Sequence, residues 1–282
     1  MTDNAKGLFI TSIGVLIMSL ESLFIKLTTI SPLLFSFYIG IFMFASTYMS
    51  IFFKQKEIFK KVLEGSLKYT IICATLMASS NIFFISAIKN TDVANVVIIL
   101  STSPLFASFF AYLFYRKKPS KNIYFASIFI FIGLFIIFKD QLNVGNLDGN
   151  IYALICAILF SISFVFLAKH KDVNRVVLTA ISGLILSTIT FMLISSIVID
   201  TRTLLILMGM GLLITPISRV MIGNGTKYIS ASEVSLLMII ETIMAPIWVW
   251  MFLNEIPSEH TFIGGSIILI TLVINSLYKL KR

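Results

Sequence analysis

Ten apolar stretches follow one another along this chain, and each has the length of about 17 to 24 residues that a helix needs to cross the roughly 30 Å core of a bilayer. Only 12% of the residues are charged, against roughly 25% in an ordinary soluble domain. No soluble fold could bury this much apolar surface. The sequence therefore predicts an all-α integral membrane protein with ten transmembrane helices, at residues 8–27, 32–53, 66–88, 92–115, 121–138, 150–168, 176–199, 203–225, 231–253 and 260–278.

The segments between these stretches are short, and the longest runs only from Lys54 to Gly65. This leaves no room for a soluble catalytic domain, a nucleotide-binding cassette or a large receptor module. The two histidines show no metal-binding spacing, and the two cysteines lie in separate spans. We therefore expect no cofactor, no metal and no catalytic site.

The net charge of +9 is distributed unevenly along the chain. If both termini are cytoplasmic, seventeen lysines and arginines lie on that side and only four on the other, with Arg219 inside a span. This asymmetry is what the positive-inside rule requires of a multi-pass protein in the cell (inner) membrane with cytoplasmic termini. Attraction to anionic lipid explains the positive charge without nucleic acid as a partner.

The two halves of the chain carry a weak internal similarity. We predict a first repeat of five spans in residues 1–140 and a second in 145–282. Because five is an odd number, the second repeat must enter the membrane inverted, which is a recurrent architecture of transporters. The matched positions are Lys89 with Lys227, Phe114 with Phe252, Pro119-Ser120 with Pro257-Ser258, Gly7 with Gly149, and Ser19 with Ser161.

With these repeats, the chain resembles ten-span members of the drug/metabolite transporter superfamily that contain two EamA-type repeats. The resemblance implies a carrier of small metabolites with a central cavity between the halves, driven by a proton gradient or by exchange. Lys117 stands where the family often has an acidic residue, and no basic residue lies near Ile39. The local motifs that carry the resemblance are Leu100-Ser101-Thr102-Ser103-Pro104-Leu105-Phe106-Ala107, Tyr228-Ile229-Ser230-Ala231-Ser232-Glu233-Val234, Glu241-Thr242-Ile243-Met244-Ala245-Pro246 and Leu253-Asn254-Glu255.

Ionisable residues within the spans are candidates for function, because each costs at least about 2.5 kcal/mol to insert. Glu241 lies near the middle of its span, where burial would let it bind and release a proton near neutral pH. Arg219 is its expected partner, or else binds a substrate carboxylate through its planar fork. Glu21 is expected to face the cavity, with Lys26 extending to the interface.

Uncharged polar residues within the spans are weaker candidates for substrate binding. Asn81 and Asn95 are the main ones, and hydrogen bonding between helices is the alternative role for each. Ser161 and Ser163 are also expected on spans that line the cavity. Kinks are expected at Ser103-Pro104 and Thr215-Pro216.

The resulting hypothesis is a secondary transporter that works by alternating access, coupled to protons or to exchange. Glu21, Arg219 and Glu241 together would suit an amino acid or a related amine, and export is the expected direction. The expected partners are a small-molecule substrate, the lipid bilayer and protons, and the oligomeric state stays open. A membrane receptor or scaffold is the alternative class, followed by an intramembrane enzyme.

Overall fold

A computed structural model describes residues 3–54, 67–116, 121–144, 147–229, 234 and 237–280. Within these residues the chain forms α-helices and one π-helical turn, Met210–Ile214. The helices are α1 (Asp3–Met18), α2 (Glu21–Lys26), α3 (Pro32–Lys54), α4 (Leu67–Asn90), α5 (Val93–Leu100), α6 (Ser103–Tyr115), α7 (Lys121–Val144), α8 (Leu147–Lys169), α9 (Arg175–Phe191), α10 (Thr201–Gly209), α11 (Thr215–Gly225), α12 (Ile239–Leu253) and α13 (Glu259–Leu280).

These helices confirm the predicted all-helical membrane fold. Six helical segments of the described chain are long and apolar enough to cross a membrane, and three shorter apolar helices accompany them. Three of the long segments join helices that a local irregularity separates: α1 with α2 as span 1, α5 with α6 as span 4, and α10 with the π-helical turn and α11 as span 8. The other spans are single helices, numbered here in chain order.

Hydroxyl groups mark two of these irregularities. At the break in span 1, Ser19 Oγ donates to the carbonyl of Leu16 at 2.7 Å. At the break in span 4, the hydroxyls of Ser101 and Thr102 donate to carbonyls three residues earlier, each at 2.6 Å. Such bonds compete with the helical ladder. The irregularities in spans 4 and 8 also lie just before Pro104 and Pro216, which lack the amide hydrogen, so helical irregularities do occur where kinks were expected.

Span 7 is shorter than expected, because helix α9 ends at Phe191 and not near residue 199. The following residues form a turn and irregular backbone that lead to Asp200, whose side chain caps α10 by accepting from the Thr203 amide at 3.0 Å. Hydrogen bonds from Thr203 hold the pKa of Asp200 below its usual value. Tyr38 Oη holds this irregular segment by donating to the carbonyl of Ile197 at 2.6 Å. Apolar composition alone could not locate this helix end.

Glycines show that equivalent spans of the two halves run antiparallel. In spans 2 and 7, a Cβ at Gly40 would lie 2.6 Å from the Ser187 amide nitrogen, and one at Gly183 would lie 2.9 Å from the Phe44 nitrogen. The sequence numbers thus rise along one helix as they fall along the other. Spans 5 and 10 cross in the same sense, because Gly133 meets Ile268 while Gly264 meets Ile137.

The same geometry supports the two sequence alignments. Gly7 of span 1 packs against residues 228 and 229 at the end of span 8, where a Cβ would meet both side chains at 2.7 Å. Gly149 of span 6 packs against residues 90 and 91 at the end of span 3. Because Lys89 aligns with Lys227, these two contact sites occupy corresponding positions. The two halves are therefore repeats that pack on each other in opposite orientations.

We expect Gly183→Ala to destabilise the protein by about 1 to 3 kcal/mol, because the new methyl group would meet the backbone of span 2 at 2.8 Å. Gly209→Ala is the matched control, since its Cβ would meet only Phe24 Cε1, at an ordinary 3.5 Å. Thermal unfolding of the detergent-purified protein measures both variants. Equal midpoints would contradict the close approach of spans 2 and 7.

Candidate functional site

A cavity lies between the two halves and contains about 730 Å³ of space free of atoms, including its open mouth. Spans 1, 3, 4, 6, 8 and 9 form its walls. The charged and amide side chains that line it are Glu21, Asn81, Arg219 and Glu241. Aromatic and sulfur-containing side chains, among them Phe84, Phe160, Phe164 and Met238, supply much of the remaining wall.

The two halves of span 4 are buried to different extents. Helix α5 forms the first half of this span, and seven of its eight residues are buried, whereas no residue of Ser103–Tyr115 in α6 is buried. The two halves of the span are separated by Ser101 and Thr102. The part of the span near the end opposite the termini is thus packed into the bundle, while the other part lies at its periphery.

Glu21 and Arg219 form a buried ion pair in the cavity wall. Arg219 Nη2 donates to Glu21 Oε2 at 3.3 Å and to Asn81 Oδ1 at 2.9 Å. Ser218 Oγ lies 3.5 Å from the other carboxylate oxygen. Glu21 is 1% exposed and the Arg219 side chain 11%, so both charges are largely removed from water. The pair joins span 1 to span 8, and Asn81 adds span 3.

The expected partnership of Arg219 with Glu241 is wrong, because the guanidinium pairs with Glu21. The reason lies in the break of span 1 at Ser19 and Leu20, which begins a new helix at Glu21 itself and presents its carboxylate to span 8. Lys26 is also not a partner of Glu21. Its ammonium group instead pairs with Glu255 at 2.9 Å.

Glu241 lies in the first turn of α12 and lines the same cavity, with 8% of the residue exposed. Among the described residues, no lysine or arginine forms an ion pair with it. A carboxyl group in this setting is costly to ionise, yet the cavity gives water or a ligand access to it. Glu241 is therefore a buried carboxyl group on the cavity wall that no described lysine or arginine neutralises.

Arg219 retains donors that the ion pair does not use. Its Nε is buried and has no hydrogen-bond partner among the described residues. A buried donor of this kind costs roughly 1 to 3 kcal/mol when it stays unsatisfied. A ligand carboxylate that accepted from the guanidinium would remove this cost.

The weaker polar candidates separate into two groups. Asn81 and Ser161 line the cavity, and Ser161 Oγ also donates to the Ser103 carbonyl at 2.9 Å. Asn95, contrary to expectation, does not line it, because it is fully buried in α5 and bonds to the hydroxyl of Thr261. Ser163 is likewise buried and is not part of the cavity wall, and its hydroxyl has no partner among the described residues.

Sequence reasoning missed two residues that support the site. Ser218 approaches Glu21, and Trp248 Nε1 donates to Ser19 Oγ at 3.0 Å, which fixes the break in span 1 to span 9. Serine is common in membrane helices, and a tryptophan near a span end is usually an interfacial anchor. Ser218 does sit beside the only arginine within a predicted span, and that proximity was the one usable signal.

We expect Arg219→Gln to lower the free energy of unfolding by about 3 to 5 kcal/mol, because it leaves Glu21 buried without a cationic partner. Adding Glu21→Gln should restore most of this loss, since the double variant buries no charge at this position. Thermal unfolding and the yield of monodisperse protein measure both effects. Arg202→Gln, which removes an exposed arginine, is the matched control. A single variant as stable as the native chain would show that the pair contributes nothing to folding.

Comparisons with known proteins agree with this architecture. The model of the EamA-like transporter family matches residues 5–139 and again residues 147–277. The chain is 23% identical over 219 residues to the uncharacterized transporter YwfM of Bacillus subtilis (strain 168), covering 75% of this chain and 74% of that protein. A crystal structure with 17% sequence identity superposes with a TM-score of 0.70 over 98% of each chain, and so shares the fold. The chain belongs to the EamA-like transporter family and is a multi-pass membrane transporter, not an enzyme.

Proposed function

We propose that this transporter exports an amino acid or a related small amine across the cell (inner) membrane by alternating access, in exchange for protons. The observation that carries the proposal is the placement of three charged side chains, Glu21, Arg219 and Glu241, on the wall of one cavity between the two repeats. Charged side chains occur in a bilayer interior only where they form ion pairs, contact water or have a function. Glu21 and Arg219 form an ion pair, and Glu241 is available to bind the substrate or a proton.

The balance of charge supports a substrate with an amino group. Two carboxylates and one guanidinium line the cavity, so its net charge is negative when all three are ionised. An ammonium group would neutralise Glu241, and a substrate carboxylate would accept from the unused donors of Arg219. Phe160 and Phe164 on the cavity wall would contact the apolar part of the substrate.

Proton coupling follows if Glu241 binds either a proton or the substrate ammonium group, but not both. A proton that enters from outside neutralises the carboxyl group and lets the empty cavity change its side of access. On the inner side the substrate displaces that proton. Each cycle then moves one substrate outward for each proton that moves inward. A carrier that ran by substrate exchange alone would not need this step.

The inverted repeats supply the two conformations that alternating access requires. We infer that the repeats extend over residues 1–140 and 145–282, limits close to those of the two family matches. Both termini are placed in the cytoplasm because the basic residues favour that side by seventeen to four. The packed first half of span 4 would then face outward, and the cavity would open inward.

Proteoliposomes test this function directly. Vesicles with the native chain should accumulate one or more members of a labelled amino-acid and amine panel when their interior is more acidic than the outside, because protons then leave as substrate enters. Glu241→Gln should lose this accumulation and keep passive exchange of the same substrate, because a neutral amide cannot alternate between proton and cation. Glu259→Gln, an exposed carboxylate in another span, is the matched control.

Two results would contradict the proposal. Gradient-driven accumulation that persists in Glu241→Gln would place proton coupling elsewhere in the chain. Exchange by the native protein that ignores the pH gradient would identify a proton-independent exchanger.

A further inference from the structure

Lys26 and Glu255 form the second ion pair of the described chain, at the end of the bundle opposite the termini. Lys26 Nζ lies 2.9 Å from Glu255 Oε2, and both side chains are about four-fifths buried, at 21% and 22% exposure. Lys26 is the last residue of α2, and Glu255 follows the end of α12. The pair thus ties span 1 of the first repeat to span 9 of the second.

Each member of the pair also holds a backbone group of the corner between spans 3 and 4. Glu255 Oε1 accepts from the Val93 amide at 2.8 Å, at the first residue of α5. Lys26 Nζ donates to the Thr91 carbonyl at 3.1 Å. The carboxylate satisfies a helix-terminal amide and also lies at the positive end of the α5 dipole. Two side chains therefore join four spans.

A second lysine strengthens the same end. Lys89 at the end of span 3 donates to the hydroxyl of Thr28 at 2.9 Å and also to the Thr28 carbonyl. Its ammonium group lies 5.6 Å from the centre of the Phe35 ring in span 2. Polar contacts of spans 1, 2, 3, 4 and 9 are consequently concentrated at this end, next to the mostly buried helix α5.

The repeat alignment gives the other end a different residue at the position of Glu255. In the register that aligns Lys89 with Lys227, the position of Glu255 corresponds to Lys117. Lys117 lies outside the described residues, but its chemistry is sufficient for the argument. An ammonium group cannot accept from a backbone amide, so a lysine cannot replace Glu255 in its bond to a helix-terminal amide. The carboxylate is therefore specific to one end of an otherwise symmetric pair of repeats.

We propose that Lys26 and Glu255 are positioning residues that close the path between the cavity and the membrane face opposite the termini. This role rests on the proposed alternating access. The pair suits a gate that must also open, because partly exposed ion pairs are modest in strength and water can replace each of their hydrogen bonds. Its separation releases span 4 from spans 1 and 9 and exposes the cavity to that face.

Accessibility of one cysteine from each membrane face tests the gate. The background is Cys73→Ala with Cys156→Ser, and Ala107→Cys places the probe on the cavity wall. A membrane-impermeant maleimide is applied to right-side-out and to inside-out vesicles. With the native gate, we expect fast labelling from the face that carries the termini and slow labelling from the other.

Lys26→Met and Glu255→Gln should each raise the slow rate about fivefold, the shift in population expected when one modest ion pair is lost. Glu255→Gln keeps an oxygen that can accept from the Val93 amide, so it isolates the ion pair from the helix cap. In Lys26→Arg the gate should stay closed, so labelling from that face should remain slow. Glu259→Gln is the matched control, with the same loss of charge on an exposed residue nearby.

Unchanged labelling in both Lys26→Met and Glu255→Gln would overturn the proposal, as would an equal increase in Glu259→Gln. Labelling of Lys26→Arg that is as fast as that of Lys26→Met would also overturn it. The assay uses no substrate and no pH gradient. If the proposed substrate or coupling ion is wrong, transport will not be seen in proteoliposomes, but the labelling pattern will stay the same.

Discussion

A carboxylate that is 1% exposed inside an apolar bundle needs a cationic partner, and for Glu21 that partner is Arg219. Their contact joins span 1 to span 8, and the bond from Arg219 to Asn81 brings in span 3. This pairing depends on the break in span 1, because the break presents Glu21 to the guanidinium. The same contact leaves Nε of the guanidinium buried and without a hydrogen-bond partner among the described residues. Arg219 thus joins three spans and also lines the cavity.

The two repeats share a backbone arrangement but differ in charge at corresponding positions. In the register of the repeats, Arg219 corresponds to Asn81, so these two bonded residues occupy the same place in each half. Glu241 corresponds to Ser103 by the same alignment. In the proposed alternating access, similar packing in the two repeats would give two similar conformations, and the different charges would make their energies differ. A transporter needs both properties, because access must alternate and yet respond to its ligands.

The sequence predicted the spans, the repeats and the cavity charges, because apolar length and the rarity of intramembrane charge are strong physical signals. It did not predict correctly which charged side chains pair with each other. Estimates of depth along straight helices paired Arg219 with Glu241, but contact also depends on rotation about each helix axis, and the break in span 1 decides the position of Glu21. The prediction that Asn95 lines the cavity failed for a related reason. Helix α5 is buried on nearly all sides, so no apolar face indicates which side meets the cavity.

The most direct test of the central claim is the release of protons when substrate binds. Native protein in weakly buffered detergent solution is titrated with each member of an amino-acid and amine panel, and the pH change is recorded beside the heat of binding. The account predicts that a bound substrate displaces up to about one proton near neutral pH, and that Glu241→Gln binds the same substrate without releasing it. Equal proton release by the native chain and by Glu241→Gln would show that this carboxyl group does not couple substrate to protons.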